Sequence, residues 1–96
     1  MDEIVNLRKK IDEIDEKILF LLKERIEVCK LMGRIKMEKG LPTVDPEREN
    51  QKYCDVANEA KKLGIDVDAA KNIYEKIIAL CVKVQDECRS SSKDIV

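Results

Sequence analysis

The chain has 96 residues, 44% of them hydrophobic, 41% charged and 3% aromatic, with 3 Gly and 2 Pro. That length holds one domain at most, and so few breakers exclude the many tight turns of a sandwich or barrel. Nineteen basic against twenty acidic residues give a net charge of −1, which argues against a chain whose main work is neutralising nucleic-acid phosphates. No apolar run approaches the ~18 residues of a membrane span, and the acidic start MDEIVNL is unlike a signal or transit peptide. A cytoplasmic protein, independent of nucleic acid and membrane, is expected.

The first predicted element runs from Ile4 to Lys39. Ile4, Leu7, Ile11, Ile14, Ile18 and Leu21 recur at helical steps of three and four, continued by Val28, Met32 and Ile35. Such a helix is about 54 Å long, whereas a compact chain of this size has a radius of gyration near ~13 Å. Another chain must therefore cover much of the stripe. Gly40-Leu41-Pro42 ends the helix. Asp45 caps a second helix, with Pro46 at its first position, a stripe of Tyr53, Val56, Ala60 and Leu63, and Gly64 as the stop. Asp66 caps a third, with the stripe Ala70, Ile73, Ile77, Leu80 and Val84. Ser90-Ser91-Ser92 reads as its polar stop, followed by a frayed tail. The whole of 1–96 reads as a single domain with its core at about 4–89.

Cys29, Cys54, Cys81 and Cys88 lie on or beside helical apolar stripes without C-x-x-C spacing. They are expected to be reduced, buried, small hydrophobes, with no metal site. The absence of histidine removes the commonest general base and the usual nucleophile triads.

Several charges break the apolar pattern. Along the heptad of the first helix, positions 4, 11, 18, 25 and 32 read Ile, Ile, Ile, Arg, Met, so Arg25 occupies a core position. A buried guanidinium needs an anion, which is either a protein carboxylate in a structural ion pair or a bound ligand. Lys36 is three turns further on, offset by only ~20° and ~16 Å along the axis, so the two long side chains can converge on one small anion. Cys29 and Met32 would floor that pocket. Arg8 lies ~25 Å before Arg25 and reaches the same ligand only from an antiparallel partner helix; alone it reads as a rim salt bridge with Glu3 or Asp12. On the second helix Glu49 falls on the apolar stripe beside Arg48, with Asp45 at the cap; these acids serve either a ligand or the helix terminus. Gln85, four residues after Cys81, is either a pocket amide or a boundary residue. Together they sketch a cationic pocket for a small dianion bearing a hydroxyl. Without nucleophile, metal set or glycine loop, its chemistry is unimolecular and rests on positioning and electrostatics.

The ordered set Leu7-Arg8-Lys9-Lys10-Ile11-Asp12-x-Ile14-Asp15, Leu21-Leu22-x-Glu24-Arg25, Gly33-x-x-Lys36, Pro42-x-x-Asp45-x-x-Arg48-Glu49 and Gln85 resembles the all-helical, type II chorismate mutase family, over about residues 4–88. The resemblance implies an all-α fold of three helices, one very long and two shorter. It further implies an intertwined homodimer with the long helices paired antiparallel. The implied reaction is the Claisen rearrangement of chorismate to prephenate, on the route to phenylalanine and tyrosine, with neither cofactor nor metal. By the same resemblance Arg25 and Arg48 hold substrate carboxylates, with Arg8 from the other chain. Lys36 and Gln85 donate to the ether oxygen, and Glu49 and Asp45 bind the ring hydroxyl. Cys81 stands at a further position for a hydrogen bond to a substrate carboxylate but departs from the pattern: many members carry serine or another polar residue there, and a thiol is a weak donor. Two other readings compete. One is an isochorismate-pyruvate lyase of the same fold, which Asp45-x-x-Arg48-Glu49 disfavours. The other is a non-enzymatic helical dimerisation module, which leaves Arg25 and Glu49 unexplained.

Overall fold

The computed structural model describes the backbone of residues 2–94 and the side chains of residues 2–89. It consists of three helices: α1, Asp2–Glu38; α2, Pro46–Leu63; and α3, Val67–Asp94. The described residues contain no strand.

Local chemistry explains the boundaries. At the end of α1 the Leu41 amide donates to the Lys36 carbonyl (2.7 Å) and Gly40 to Met37 (3.1 Å), with Gly40 at φ +68°. This Schellman pattern needs a left-handed residue, which glycine supplies without strain. Gly64 repeats it after α2, where Ile65 donates to Ala60 at 2.9 Å. At the helix starts, an Asp45 carboxylate oxygen accepts from the Arg48 amide (3.2 Å) and an Asp66 oxygen from Ala69 (2.9 Å). Both are N-caps satisfying an otherwise unpaired amide.

The expected stop at Ser90 is overturned, because α3 continues through the three serines to Asp94. Serine disfavours a helix by only a few tenths of a kcal/mol, and no glycine or proline follows to break it. The end of the tail expected to fray, residues 95 and 96, lies outside the described residues.

α3 packs against both α1 and α2. The buried apolar set is small: Cys29, Val56, Ala60, Ile78 and Val84. Ile78, not Ile77, faces inward on α3, and Ile73 and Leu63 are exposed although both fall on the expected stripes. Ile4, Leu7, Ile11, Ile14, Ile18 and Leu21 stay between 54% and 61% exposed along the first half of α1. The molecule measures 59 × 29 × 14 Å with a radius of gyration of 17.2 Å, well above the ~13 Å of a compact domain. Among the described residues no helix is long and apolar enough to cross a membrane.

Candidate active site

A cavity of about 300 Å³ opens where the C-terminal half of α1, the 39–45 loop, the start of α2 and the middle of α3 meet. Helical spacing brings Arg25, Cys29, Met32 and Lys36 of α1 to one wall. The loop contributes Thr43 and Asp45, and α2 contributes Arg48, Glu49 and Lys52. Tyr74, Ile78, Cys81 and Gln85 of α3 close it. All the expected site residues except Arg8 meet here. Arg8 is exposed and far along α1, outside the cavity of its own chain.

Four cations (Arg25, Lys36, Arg48, Lys52) face two carboxylates (Asp45, Glu49), a formal excess of two positive charges. Arg25 is half-buried, less enclosed than its heptad position implied. Its Nη1 lies 3.8 Å from the Cys29 sulfur, and among the described residues it has no carboxylate partner. A structural ion pair therefore does not account for its placement. Lys36 Nζ donates to the Thr43 carbonyl at 2.8 Å. Thr43 Oγ1 in turn donates to Asp86 Oδ1 of α3 at 2.9 Å, and Arg89 donates to the Leu41 carbonyl. The loop is thus fastened to both long helices, which fixes the cap residue Asp45 and the start of α2 behind it. The Asp45 carboxylate is itself engaged by its capping bond.

Gln85 is 3% exposed, a buried residue and not a boundary one. Its Nε2 lies 3.3 Å from the Cys81 carbonyl oxygen and 3.1 Å from Cys81 Sγ, while its Oε1 has no partner. Gly33 makes this placement possible. A Cβ there would stand 3.0 Å from Gln85 Cα and 3.2 Å from its Cβ, so only glycine lets α3 come this close to α1. On α2, partial burial and then the nearby Glu75 and Glu49 carboxylates raise the half-buried Tyr53 hydroxyl above its ordinary pKa.

The expectation of four reduced, buried cysteines is corrected. Cys29 and Cys81 are joined in a disulfide with Cα atoms 5.6 Å apart, within the span such a bond needs. Cys54 is free and exposed, and Cys88 is free and half-buried. The pairing follows from the packing of α3 on α1, which spacing along one helix does not reveal. Thr43, Lys52 and Tyr74 were also missed. Lys52 follows Arg48 by one helical turn, the one signal that marked it, and its Nζ stands 5.9 Å from the Tyr74 ring centroid.

The family model for type II chorismate mutase matches residues 7–86. The chain belongs to that family. A bifunctional chorismate mutase/prephenate dehydratase of Aquifex aeolicus is 37% identical over 92 residues, covering 93% of this chain and 25% of that protein. A chorismate mutase of Methanocaldococcus jannaschii is 37% identical over 78 residues, covering 81% of this chain and 79% of that one. Among solved structures, a conserved hypothetical protein from Pyrococcus furiosus matches with a TM-score of 0.70 at 35% identity, over 88% of this chain and 97% of the other. The chain thus spans a quarter of the Aquifex protein and most of the other two.

Proposed function

We propose that the protein converts chorismate to prephenate in this cavity, and that each working site is shared between two copies of the chain. One observation carries the reading: Arg25, Lys36 and Arg48, from α1 and α2, line one cavity with the buried amide of Gln85, and its charge excess matches a dianion.

In this mechanism Arg25 and Arg48 hold the two substrate carboxylates, because guanidinium presents paired donors to a carboxylate. Glu49 accepts from the ring hydroxyl. Asp45 contributes through its backbone or through the carboxylate oxygen its cap leaves free. Holding both ends of the substrate brings the enolpyruvyl carbon over the ring carbon it must join. As the ether C–O bond breaks and the C–C bond forms, negative charge gathers on the ether oxygen. Lys36 and Gln85 donate to that oxygen, and their interaction strengthens only as the charge appears. No bond to the protein is made.

The second copy supplies Arg8. The exposed Ile4–Leu21 seam supports an antiparallel helix pairing, and Arg8 lies ~25 Å from Arg25 on its own helix, too far to serve the same cavity. A cytoplasmic enzyme working without nucleic acid is part of the same reading.

Chorismate is the test. Loss of its ultraviolet absorbance with prephenate as product is the expected result. Pyruvate release from isochorismate, with chorismate untouched, would make the protein a lyase. No turnover of either would leave a dimerisation module and overturn the reading.

A further inference from the structure

The proposed reaction makes no use of cysteine, yet one disulfide lies inside the cavity. Both cysteines line the cavity, and Cys81, half-buried, is the more accessible of the two beside Cys29 at 3% exposure. A small thiol therefore reaches the bond through the substrate cavity and attacks at Cys81 Sγ. Both sulfurs also touch groups of the proposed site. Gln85 Nε2 lies 3.1 Å from Cys81 Sγ, and Arg25 Nη1 lies 3.8 Å from Cys29 Sγ.

We propose that Cys29 and Cys81 form a thiol–disulfide exchange site within the substrate cavity, opened by small dithiols, and that the closed form is the weaker enzyme. The proposal rests on the reading of the cavity as the substrate site. In opening, a dithiol's thiolate attacks Cys81 Sγ, making a mixed disulfide and expelling Cys29 as thiolate. The Arg25 guanidinium stands beside that leaving group and stabilises its charge. The dithiol's second sulfur then attacks the first, forming a cyclic disulfide and releasing Cys81. Two electrons and two protons pass from the dithiol to the two cysteines. Glutathione disulfide reverses the process by the same two exchanges, leaving two reduced glutathiones.

The sign of the effect follows from hydrogen-bonding capacity. A disulfide sulfur only accepts, and here it draws the amide donor of Gln85 back onto its own helix. A thiol also donates. Opening the bond frees Cys81 Sγ to turn toward a cavity built for carboxylates and loosens its hold on Gln85. A thiol is a weak donor, but its acceptor here is a charged carboxylate, so the bond gained is worth about a five-fold change in substrate affinity.

The experiment compares the full chain after glutathione disulfide and after dithiothreitol. Free thiols are alkylated and mapped by mass spectrometry, and chorismate kinetics are measured on each form. The expected result is that the oxidant protects Cys29 and Cys81 from alkylation and raises KM about five-fold over the reduced form. Prephenate should slow the opening by dithiothreitol at least threefold, because it covers Cys81. Cys81→Ser should abolish the difference between the two treatments, because Cys29 is then left buried and without a partner to close with, and Cys54→Ser combined with Cys88→Ser should preserve it. Alkylation of both Cys29 and Cys81 after oxidation would overturn the proposal. So would a closed pair with the same kinetics as the open one, even though the mutase reading then stands. No turnover by either form would instead refute the mutase reading itself, and the exchange site's role would fall with it.

Discussion

Replacing Gly33 by alanine tests the geometry of the site without touching any charged group. Two opposing effects act on stability. Alanine inside a helix is better than glycine by about 1 kcal/mol. Against this, the new methyl would stand 3.0 Å from Gln85 Cα and 3.2 Å from its Cβ and Cγ, where ordinary contacts begin at 3.4 Å. The nearest atom is backbone, so no rotation relieves the clash, and α3 must retreat from α1 by about 0.4 Å. Overpacking of this kind costs about 1–3 kcal/mol. The net loss should be about 0–2 kcal/mol, a fall in Tm of no more than roughly 15 °C for a domain of this size. Activity should suffer more than stability, because Gln85 moves with its backbone. A displacement of up to an ångström at a group that must meet a developing charge costs on the order of 10- to 100-fold. Steady-state kinetics on chorismate and thermal unfolding of the same preparation read both effects. In a Gln85→Ala background, Gly33→Ala should cost little further activity. Parent kcat/KM in folded Gly33→Ala would refute the claim that the glycine sets the position of Gln85 for the reaction.

Arg25→Ala should lose at least about a hundredfold in activity with a Tm within a few degrees of the parent, since no carboxylate is left unpaired by its removal; a large fall in Tm would point to a structural role. Arg8→Ala and Arg25→Ala subunits, each inactive, should recover activity when mixed and refolded, because some mixed dimers hold one site free of both changes. Sedimentation at micromolar concentration should give twice the chain mass, and an active monomer would sink the shared site. Gln85→Glu should be poor at neutral pH and gain activity on acidification, because only the protonated carboxyl donates and a free glutamate titrates near ~4.3. Lys36 favours the ionised form and burial opposes it, so the direction of the change is the prediction; a parent-like flat profile from pH 5 to 8 would remove Gln85 from the donor role.

What was legible in the sequence is what short-range physics controls. Asp45, Pro46, Gly64 and Asp66 marked their boundaries correctly because capping involves residues within one turn. Arg25 betrayed the cavity because it interrupts a heptad, and Lys36 followed from helical angle alone. Contacts between elements were hidden. The Cys29–Cys81 bond spans 52 residues and depends on how α3 rolls against α1. The same roll turned Ile78 inward and left Ile73 in solvent, a rotation the apolar stripe was too broad to specify. Lys52 was hidden by composition, since one more lysine among nineteen basic residues carries little signal. Ser90-Ser91-Ser92 misled because a run of weak helix formers was read as a barrier.

The 2.8 Å bond from Lys36 to the Thr43 carbonyl tethers the reacting end of the cavity. An ammonium has three donors, so in the proposed role Lys36 keeps that carbonyl and turns another N–H to the substrate's ether oxygen. The tether limits where a long, flexible side chain can place its charge, so less ordering remains when substrate enters. An ammonium prefers an anion to a dipole, so its pull on the ether oxygen grows as charge gathers there. Asp86, by holding Thr43 in place from α3, anchors the tether.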